Sequence, residues 1–380
     1  MERKLASIQK ITNIEPIEGK DRIVLATIQG WKVIVGKDQF NIDDNCVYFE
    51  IDSILPDVEM FSNIKARSKL RIKTMKLGGV YSFGFCISID DAKKLSKELK
   101  TKWPRNLKEG LDVTEILKVE KYEEDEWNRR TKTSTKPHGP IYKWFMRFAW
   151  FRKLVKPKKL SRAWPEFLIK TDEERVENLV NAFEHWRDEK IPFHITSKMD
   201  GQSATFCLKE KDFIVCSRNC RLNRRTQSDS LFFETAEKYR IEDLLRYIKT
   251  DLVGDLHIGN KVDYVCLQGE QCGPTINGNR IGLKDIKLYI FNLIIKTEEG
   301  IFKLNPMTFE TEFYNFSKLE CVPYLGETVL PENIDELRKM SYGYYNGDGK
   351  HLREGIVLRN YDKNISFKCV NPDYLLKHGI

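Results

Sequence analysis

Short apolar segments rich in β-branched residues recur near the start of the chain. Residues 21–28 and 31–36 are two such segments, with Gln29-Gly30 between them. Two segments of this kind joined by a short turn containing glycine predict a β-hairpin. Similar patterns predict strands at 46–51, 70–75 and 80–89. Residues 1–105 are therefore expected to form a small barrel of five strands.

Five short strands in this length of chain suit an OB-type barrel, although the pattern alone does not separate it from other small barrels. The stretch from Ile17 to Pro56 also resembles OB modules of the tRNA-binding kind. The residues that carry this resemblance are Ile17-Glu18-Gly19, Asp21-Arg22-Ile23, Gly30-Trp31, Val33, Val35 and Tyr48-Phe49-Glu50-Ile51-Asp52-Ser53-Ile54-Leu55-Pro56. The resemblance implies that residues 1–105 form a nucleic-acid-binding barrel.

The charge pattern changes after residue 105. Residues 106–160 have the composition of a linker that is acidic at Glu123-Glu124-Asp125-Glu126 and then basic. Residues 128–160, the basic block, hold 11 Lys or Arg and no Asp or Glu in a chain of net charge +8, which indicates either a polyanionic partner or a solvated linker. Inside the block, Trp144, Phe148 and Phe151 recur at helical spacing and predict an aromatic helix that docks on a neighbouring domain rather than stacking on bases.

A second domain is expected over residues 161–380. Thr171-Asp172-Glu173-Glu174 has the capping-box pattern of a helix start, and an apolar stripe follows at Val176, Leu179, Val180 and Phe183. Beyond this helix, strand patterns dominate. The chain is therefore expected to be an α+β protein, with an OB-type barrel followed by a domain of antiparallel sheets and flanking helices.

A candidate nucleophile lies between two predicted strands of this domain. Lys198-Met199-Asp200-Gly201 follows the extended segment 193–197 and precedes the alternating segment 202–208. A lysine in such a loop can act as a nucleophile where burial or neighbouring cations lower its pKa, and the glycine lets a ligand approach the backbone. By itself, the Lys-x-Asp-Gly pattern is also that of an ordinary turn.

Further motifs, in a fixed order, make this pattern specific. From about residue 165 to residue 380, the chain resembles the ATP-dependent RNA ligases of the covalent nucleotidyltransferase superfamily. The segments that match, in chain order, are Lys198-Met199-Asp200-Gly201, Cys216-Ser217-Arg218-Asn219, Leu267-Gln268-Gly269-Glu270 followed by Gly273-Pro274-Thr275-Ile276 and Asn279, Tyr289-Ile290-Phe291-Asn292, Glu354-Gly355-Ile356-Val357-Leu358-Arg359, and Phe367-Lys368-Cys369-Val370-Asn371 followed by Leu375-Leu376-Lys377. Residues 170–178 also resemble an element that such ligases carry before the first motif. No single motif is specific, but the ordered set is.

The resemblance implies a set of functional residues and cofactors. An adenylyltransferase domain at 161–380 would use ATP with Mg²⁺ or Mn²⁺ and bond the Lys198 amine to the α-phosphate. The catalytic residues implied are Lys198, Asp200, Glu270, Glu354 and Lys368. Metal-water contacts are implied for Asp200, Glu270 and Glu354, and nucleotide contacts for Lys198, Arg218, Glu270, Phe291 and Lys368. Phe291 would stack on adenine, or else be an ordinary core residue, and Arg218 would contact phosphate or ribose, or else be a surface residue.

The geometry of Glu354 and Lys368 depends on the register of two predicted strands. If Asn360 pairs with Asn364, Lys368 lies opposite Ile356 and shares a sheet face with Glu354. A four-residue loop would instead turn the side chains of one strand to the other face.

The last motif departs from part of the family. Some relatives carry two lysines there, spaced by one residue. Here Ser366 and Val370 flank Lys368 at the two possible positions. The α-phosphate would therefore rely on Lys368 alone, or also on Lys377 from outside the strand.

The resemblance implies an RNA repair ligase that seals 5′-phosphate and 3′-OH ends through lysyl-AMP and RNA-adenylate intermediates, with nicked duplex RNA among its candidate substrates. A DNA ligase or an mRNA guanylyltransferase is an alternative. It is disfavoured because Gln202-Ser203 follows Gly201, where capping enzymes usually carry an arginine, and because the barrel precedes the ligase-like domain. A non-catalytic RNA-binding protein is a second alternative, which the intact set of candidate residues disfavours.

The composition indicates the cellular compartment of the protein and excludes some partners. The nine cysteines are scattered without a Cys-x-x-Cys pair, which favours free thiols in a reducing compartment over a zinc site. No apolar stretch approaches the ~18 residues of a membrane span, and the first residues lack the hydrophobic core of a signal peptide. A cytoplasmic or nuclear monomer that is not secreted and does not contact a membrane is expected.

Overall fold

The computed structural model describes residues 4–122, 162–224, 230–252 and 261–380. These residues fall into two compact units, one with residues 4–122 and Leu375–Ile380 and the other with residues 162–374. The basic block and its predicted aromatic helix lie outside the described residues. None of the helices within the described ranges is long and apolar enough to cross a membrane.

The first unit is a small β-structure with two helices. Its strands are β1 (Ala6–Pro16), β2 (Ile23–Ile28), β3 (Trp31–Gly36), β4 (Asn45–Phe49), β5 (Ser53–Ile54), β6 (Met75–Leu77), β7 (Val80–Ser82), β8 (Phe85–Ser88) and β9 (Glu120–Lys121), and its helices are α1 (Ser62–Ser68) and α2 (Ile89–Glu98), with a 3₁₀ turn at Glu59–Phe61. An antiparallel sheet, sheet I, has the order β3-β2-β1-β4-β8. Hydrogen bonds between β3 and residues 82–83 draw its two edges together, as in an OB-type barrel.

Sheet I differs from the sequence expectation at two strands. The predicted hairpin of β2 and β3 is confirmed, with Gln29 in its turn at φ 53°. The sequence pattern does not predict the central strand β1, because a bulge after Ile11 shifts its pairing and interrupts the apolar alternation. The strand predicted at 70–75 is wrong, since the backbone of Ile72 bonds to residues 52 and 53 outside sheet I.

The first unit continues past residue 105 into the predicted linker. The Ile8 amide donates to the Leu111 carbonyl at 2.9 Å, and the Val113 amide bonds back to β1. Val113 and Leu117 are fully buried, and β9 pairs with β5. Residues 106–122 therefore form part of the barrel unit, because their apolar side chains complete its core.

The second unit holds the remaining strands and helices. Its strands are β10 (Arg162–Ala163), β11 (Glu174–Arg175), β12 (Pro192–Ser197), β13 (Gln202–Lys209), β14 (Asp212–Ser217), β15 (Cys220–Arg221), β16 (Val262–Cys272), β17 (Lys287–Thr297), β18 (Ile301–Leu304), β19 (Glu320–Cys321), β20 (Tyr324–Val329), β21 (Gly355–Asn360) and β22 (Ile365–Val370). Its helices are α3 (Val180–Asp188), α4 (Ser230–Lys238), α5 (Ile241–Tyr247), α6 (Glu310–Ser317), α7 (Ile334–Ser341) and α8 (Pro372–His378). Short 3₁₀ turns lie at Val176–Asn178, Asn277–Asn279, Pro306–Phe309 and Tyr345–Gly347, and a π-helical turn lies at Ile248–Leu252.

Two sheets organise the second unit. Sheet II has the order β10-β15-β14-β13-β16-β17-β18 with β19 beside β17, and sheet III has the order β11-β22-β21-β12-β20. Helices α4, α5 and α6 cover one face of sheet II, where Phe313 packs with Leu293, and helices α3 and α7 cover one face of sheet III, where Phe183 packs with Leu337. The antiparallel sheets with flanking helices predicted for this domain are confirmed. The faces that these helices leave uncovered carry the candidate site.

The helix predicted to begin at Thr171-Asp172-Glu173-Glu174 begins later in the chain. Residues 174–175 form β11, which pairs in parallel with β22, and α3 starts only at Val180. Pairing with β22 uses the backbone groups that a helix would need, so the capping-box prediction is wrong at this position. Val176 and Phe183 of the predicted apolar stripe are nevertheless buried.

Candidate active site

The candidate nucleophile Lys198 lies in the turn that joins β12 of sheet III to β13 of sheet II. β12 runs antiparallel to β21 with Ser197 opposite Ile356, and the Lys198 amide donates to the Gly355 carbonyl at 2.9 Å. This last bond of the ladder places Lys198 beside Glu354, so that the Lys198 ammonium nitrogen Nζ lies 2.7 Å from Glu354 Oε1. Strand pairing, rather than proximity along the chain, therefore creates this ion pair.

Two glycines let the surrounding strands approach closely. A Cβ atom on Gly355 would lie 2.3 Å from the Cys369 carbonyl oxygen, and a Cβ atom on Gly201 would lie 2.4 Å from the Gln271 carbonyl oxygen. Both positions therefore require glycine. Gly201 allows the turn that carries Lys198 to pack against β16, the strand that presents Glu270.

Electric charge dominates the surroundings of Lys198. Burial lowers the pKa of the Lys198 amine, but the charges of Glu354, Glu270 and Asp200 outweigh burial and leave this pKa above its ordinary value. Burial raises the pKa of Glu270 to about 8 against the opposing effect of Lys198, and burial also raises the pKa of Glu354. Lys198 is therefore an ammonium ion surrounded by three acidic side chains, whose oxygens are also possible partners for a further cation.

Asp200 is bonded differently from the two glutamates. It is buried, Asn277 donates to its Oδ1 at 2.9 Å, and the Tyr374 phenol donates to its Oδ2. The Arg280 guanidinium lies 3.6 Å from the same Oδ2 atom. None of these three partners is among the residues that carry the resemblance, and each reaches Asp200 only through folding. Asp200 is thus fixed in place by neutral and cationic donors, whereas Glu354 is bonded to the candidate nucleophile itself.

Lys368 lies on β22. The observed register of β22 is the one that a four-residue loop produces. Lys368 pairs with Val357, because four residues rather than three separate β21 from β22. The register with Ile356 opposite Lys368 is therefore wrong, and Ile356 instead packs in the apolar core beneath α3 and α7. The positive charge of Lys368 still lowers the pKa of Glu354, which precedes the paired part of β21.

Arg175 and Lys377 are the two further cations to compare with Lys368. Arg175 of β11 is the parallel register partner of Lys368, and the sequence assigned it no role. Lys377, the alternative second lysine of the last motif, lies in the part of α8 that belongs to the first unit. Arg175 is therefore the cation that strand pairing places beside Lys368.

Phe291 lies on a bulge of β17. Gln268 pairs with Asn292 and Gly269 pairs with Ile290, which leaves Phe291 as the extra residue between two pairs. Bulges of this kind redirect a side chain relative to a regular strand. Phe291 is 8% exposed and packs in a cluster of buried residues with Met199, Tyr289 and Tyr345, on the opposite face from the helix-covered core.

A buried cation lies against the Phe291 ring. The Arg359 guanidinium carbon is 5.2 Å from the ring centroid, within the range of a cation–π contact. Arg359 also forms an ion pair with Glu173 at 3.2 Å and donates to Thr196 Oγ1 at 3.1 Å. Phe291 is therefore both a core residue and one wall of the space between sheets II and III.

Arg218 occupies a more open position. Its guanidinium lies 2.6 Å from an Asp172 oxygen, and the two side chains are 49% and 48% exposed. Its charge opposes the rise in the pKa of Glu270. Arg218 is thus placed at the rim of the site, where a phosphate could replace Asp172 as its partner.

The donor set fits a hard divalent cation only in part. In the described ranges, no group of three or more His, Cys, Asp or Glu side chains is arranged to hold a metal ion. Glu270 and Glu354 are oxygen donors beside Lys198, whereas Asp200 is already bonded to Tyr374 and Asn277. Mg²⁺ and Mn²⁺ accept few carboxylates and complete their shells with water or phosphate, so the two glutamates suit such an ion.

Comparisons with known proteins agree with this geometry. A family model described as RNA ligase matches residues 191–376, and a model described as an OB-fold domain matches residues 5–89. Curated proteins yielded no match to the chain. Among solved structures, a Naegleria gruberi RNA ligase mutant with AMP and Mn, the same ligase with PPi, and another mutant with ATP and Mn are each 26% identical to the chain, with a TM-score of 0.75 and coverage of 99% of both chains.

The two family matches cover separate parts of the chain. The RNA ligase match spans the elements that bring together Lys198, Glu270, Glu354 and Lys368, and the OB-fold match spans sheet I. The likeness to the Naegleria gruberi ligase extends over both. The chain therefore belongs to the RNA ligase family and carries an N-terminal OB-fold domain.

Proposed function

We propose that this chain, an ATP-dependent RNA ligase, joins a 5′-phosphate end of RNA to a 3′-OH end in three chemical steps. The observation that carries the proposal is the Lys198 ammonium 2.7 Å from Glu354 in a cluster with Glu270. A lysine nucleophile surrounded by carboxylates suits the capture of a nucleotidyl group, since catalysis of phosphoryl transfer is mostly positioning and neutralisation of charge.

The first step forms the enzyme adenylate. After loss of a proton, the Lys198 nitrogen bonds to the α-phosphorus of ATP while the bond from that phosphorus to the pyrophosphate oxygen breaks. In the second step, an oxygen of the RNA 5′-phosphate attacks the phosphorus of the lysyl-AMP. The bond from that phosphorus to the Lys198 nitrogen breaks, and an RNA-adenylate forms. In the third step, the RNA 3′-OH loses its proton to solvent while its oxygen attacks the phosphorus of the RNA 5′-phosphate. AMP leaves with the electron pair of the bond that breaks. Solved structures of the relative contain ATP and Mn, AMP and Mn, or PPi. These are reactants and products of the first step, and they support the proposed order of steps.

Each candidate residue has a role that fits its surroundings. Glu354 holds the Lys198 amine, and Lys368 on the neighbouring strand supplies a positive charge for the α-phosphate. Phe291 stacks on adenine from β17, and Arg218 at the rim binds ribose or phosphate. Asp200 contacts the nucleotide ribose from its hydrogen-bonded position.

A divalent cation fits beside Glu270 and Glu354. When bound, Mg²⁺ or Mn²⁺ supplies positive charge to the phosphates and neutralises carboxylates. Because the charges of those carboxylates raise the pKa of Lys198, their neutralisation favours the free amine that attack requires. Asp200 acts on this region through water, since its oxygens already accept hydrogen bonds from Tyr374 and Asn277.

The remaining features of the proposal concern partners. The OB-fold domain and the basic block hold the RNA beside Lys198, and a nicked duplex offers the two ends in the required proximity. The enzyme acts as a monomer in a reducing compartment of the cytoplasm or nucleus, which suits its nine free cysteines.

Covalent labelling distinguishes this function from its alternatives. The full-length chain is incubated with α-labelled ATP or GTP and Mg²⁺ or Mn²⁺, and then with a 5′-phosphorylated nicked RNA or DNA duplex. A ligase that acts on RNA takes label from ATP only and seals the RNA nick. Labelling from GTP would indicate a guanylyltransferase, sealing of DNA alone would indicate a DNA ligase, and no labelling would indicate a binding protein.

A further inference from the structure

Tyr345 is a buried tyrosine in the connection between α7 and β21. It begins the 3₁₀ turn Tyr345–Gly347, and its amide donates to the His351 carbonyl at 2.8 Å. Tyr345 is 3% exposed, whereas the preceding residue, Tyr344, is 44% exposed. Neither tyrosine lies in a motif that carries the family resemblance, so the sequence gives no reason to distinguish them.

The Tyr345 hydroxyl bridges the backbones of the two residues that form the central ion pair. It donates to the Lys198 carbonyl at 2.7 Å and accepts a hydrogen bond from the Glu354 amide at 3.2 Å. One oxygen atom therefore contacts the residue that carries the nucleophile and the residue that binds its amine. Its ring lies in the buried cluster with Met199 and Phe291.

The bridge lies where the ladder between β12 and β21 ends. The bond from the Lys198 amide to the Gly355 carbonyl is the last backbone bond between them. Beyond this bond, the Tyr345 hydroxyl joins the Lys198 carbonyl to the Glu354 amide in place of a direct backbone bond. Burial raises the pKa of the Tyr345 phenol, so the hydroxyl keeps its proton and remains a donor over the working pH range.

We propose that Tyr345 is a positioning residue that fixes the backbone of Lys198 relative to that of Glu354 and thereby aligns the amine for attack on ATP. This inference rests on the proposed function. The phenol acts through Lys198 and Glu354 rather than on the nucleotide, so it sets the rate of adenylylation and not the affinity for ATP.

Tyr345→Phe is the direct test, because it removes the hydroxyl and keeps the ring in its cluster. We expect kcat for formation of lysyl-AMP to fall roughly 10- to 100-fold, the scale of a small misplacement of a reacting group, with KM for ATP unchanged. Tyr344→Phe removes a hydroxyl one residue away and is the matched control, with the wild-type kcat expected. Folding of each full-length variant is checked by circular dichroism and thermal unfolding.

A second variant keeps the test decisive if Tyr345→Phe is poorly folded. Replacing Tyr345 with 4-aminophenylalanine restores a donor at the same place on the ring, and we expect it to recover most of the lost kcat. Wild-type kcat in a folded Tyr345→Phe variant, a change confined to KM, or no recovery in a folded 4-aminophenylalanine variant would each overturn the inference. If the wild-type chain takes no label from ATP, the proposed function itself fails, which is a separate result.

Discussion

The two ends of the active site are stabilised in different ways. At the nucleophile end, Lys198 faces Glu354 and Glu270, two carboxyl groups whose pKa values burial raises. At the aromatic end, Arg359 pairs with Glu173 and lies over Phe291, with Arg359 and Glu173 side chains 6% and 14% exposed. Arg359 thus has one carboxylate partner, whereas three acidic side chains, those of Glu354, Glu270 and Asp200, act on Lys198.

This difference indicates a division of labour. A buried ion pair with all its charge matched is costly to rearrange, because either partner left alone is a buried unpaired charge. The aromatic end is therefore suited to the fixed wall for the base that we propose. Several acidic side chains around one lysine can bind an arriving cation, so the nucleophile end is suited to exchange its partners during the reaction.

The largest effect is expected at the nucleophile. Lys198→Ala should abolish ATP-dependent sealing, because no neighbouring group can replace the bond to AMP. Sealing of RNA that is already adenylylated should survive, since that reaction does not use the lysine adenylate. Both are measured by gel electrophoresis of nicked RNA. Lys209→Ala is the matched control, as Lys209 also pairs with a carboxylate, that of Asp263 at 3.0 Å.

Glu354→Gln should have the next largest effect. It removes a charge that holds the Lys198 amine and is a donor for a divalent cation, so we expect lysyl-AMP formation to slow by a factor on the order of 10²–10³. Single-turnover labelling with ATP measures this rate. Glu327→Gln, which removes a carboxylate paired with His194 on an edge of sheet III, is the control. A faster rate in Glu354→Gln would mean that Glu354 only restrains the amine, contrary to our account.

Phe291→Ala tests the aromatic wall. Loss of base stacking should weaken ATP binding by roughly 1–3 kcal/mol, or roughly 5- to 150-fold in KM. Because Phe291 is buried, the variant should also lose stability. Phe313→Ala, in the core on the other face of sheet II, provides a comparable loss of stability without the change in KM. Equal KM values for ATP in Phe291→Ala and Phe313→Ala would mean that Phe291 is a core residue only.

The pH dependence of cation binding should show the smallest effect. With a pKa of about 8, Glu270 carries a proton below pH 8 that a cation must displace. The affinity of the free enzyme for Mn²⁺ should therefore rise by up to about tenfold per pH unit below pH 8 and level off above it. Titration of Mn²⁺ by electron paramagnetic resonance measures this, and Glu270→Gln should flatten the profile. A profile that is equally steep in that variant would assign the proton to another group.

The sequence predicts the site better than it predicts the contacts that hold the site together. Lys198, Glu270 and Glu354 are recognisable because each lies in a short motif at the end or the edge of a strand. Tyr345 bonds to Lys198 and Glu354, and Tyr374 bonds to Asp200, from a loop and a helix that only the fold brings near. Contacts of this kind have no local pattern in the chain.

Local patterns also mislead where pairing overrides them. The capping-box pattern at 171–174 does not start a helix, because β22 pairs with residues 174–175. The strand β1 is hidden by its bulge at Ile11, and the register of Lys368 depends on a single loop residue. In each case a long-range backbone partner decides the outcome, and short-range periodicity carries no information about that partner.

The central claim is that Lys198 is the residue that carries AMP. Its most direct test is mass spectrometry of the proteolysed full-length enzyme after incubation with ATP, a divalent cation and pyrophosphatase. Our account predicts one AMP per chain, on the peptide that contains Lys198, and its release when 5′-phosphorylated nicked RNA is added. AMP on a different lysine, or on no residue of a folded and ATP-binding protein, would contradict it.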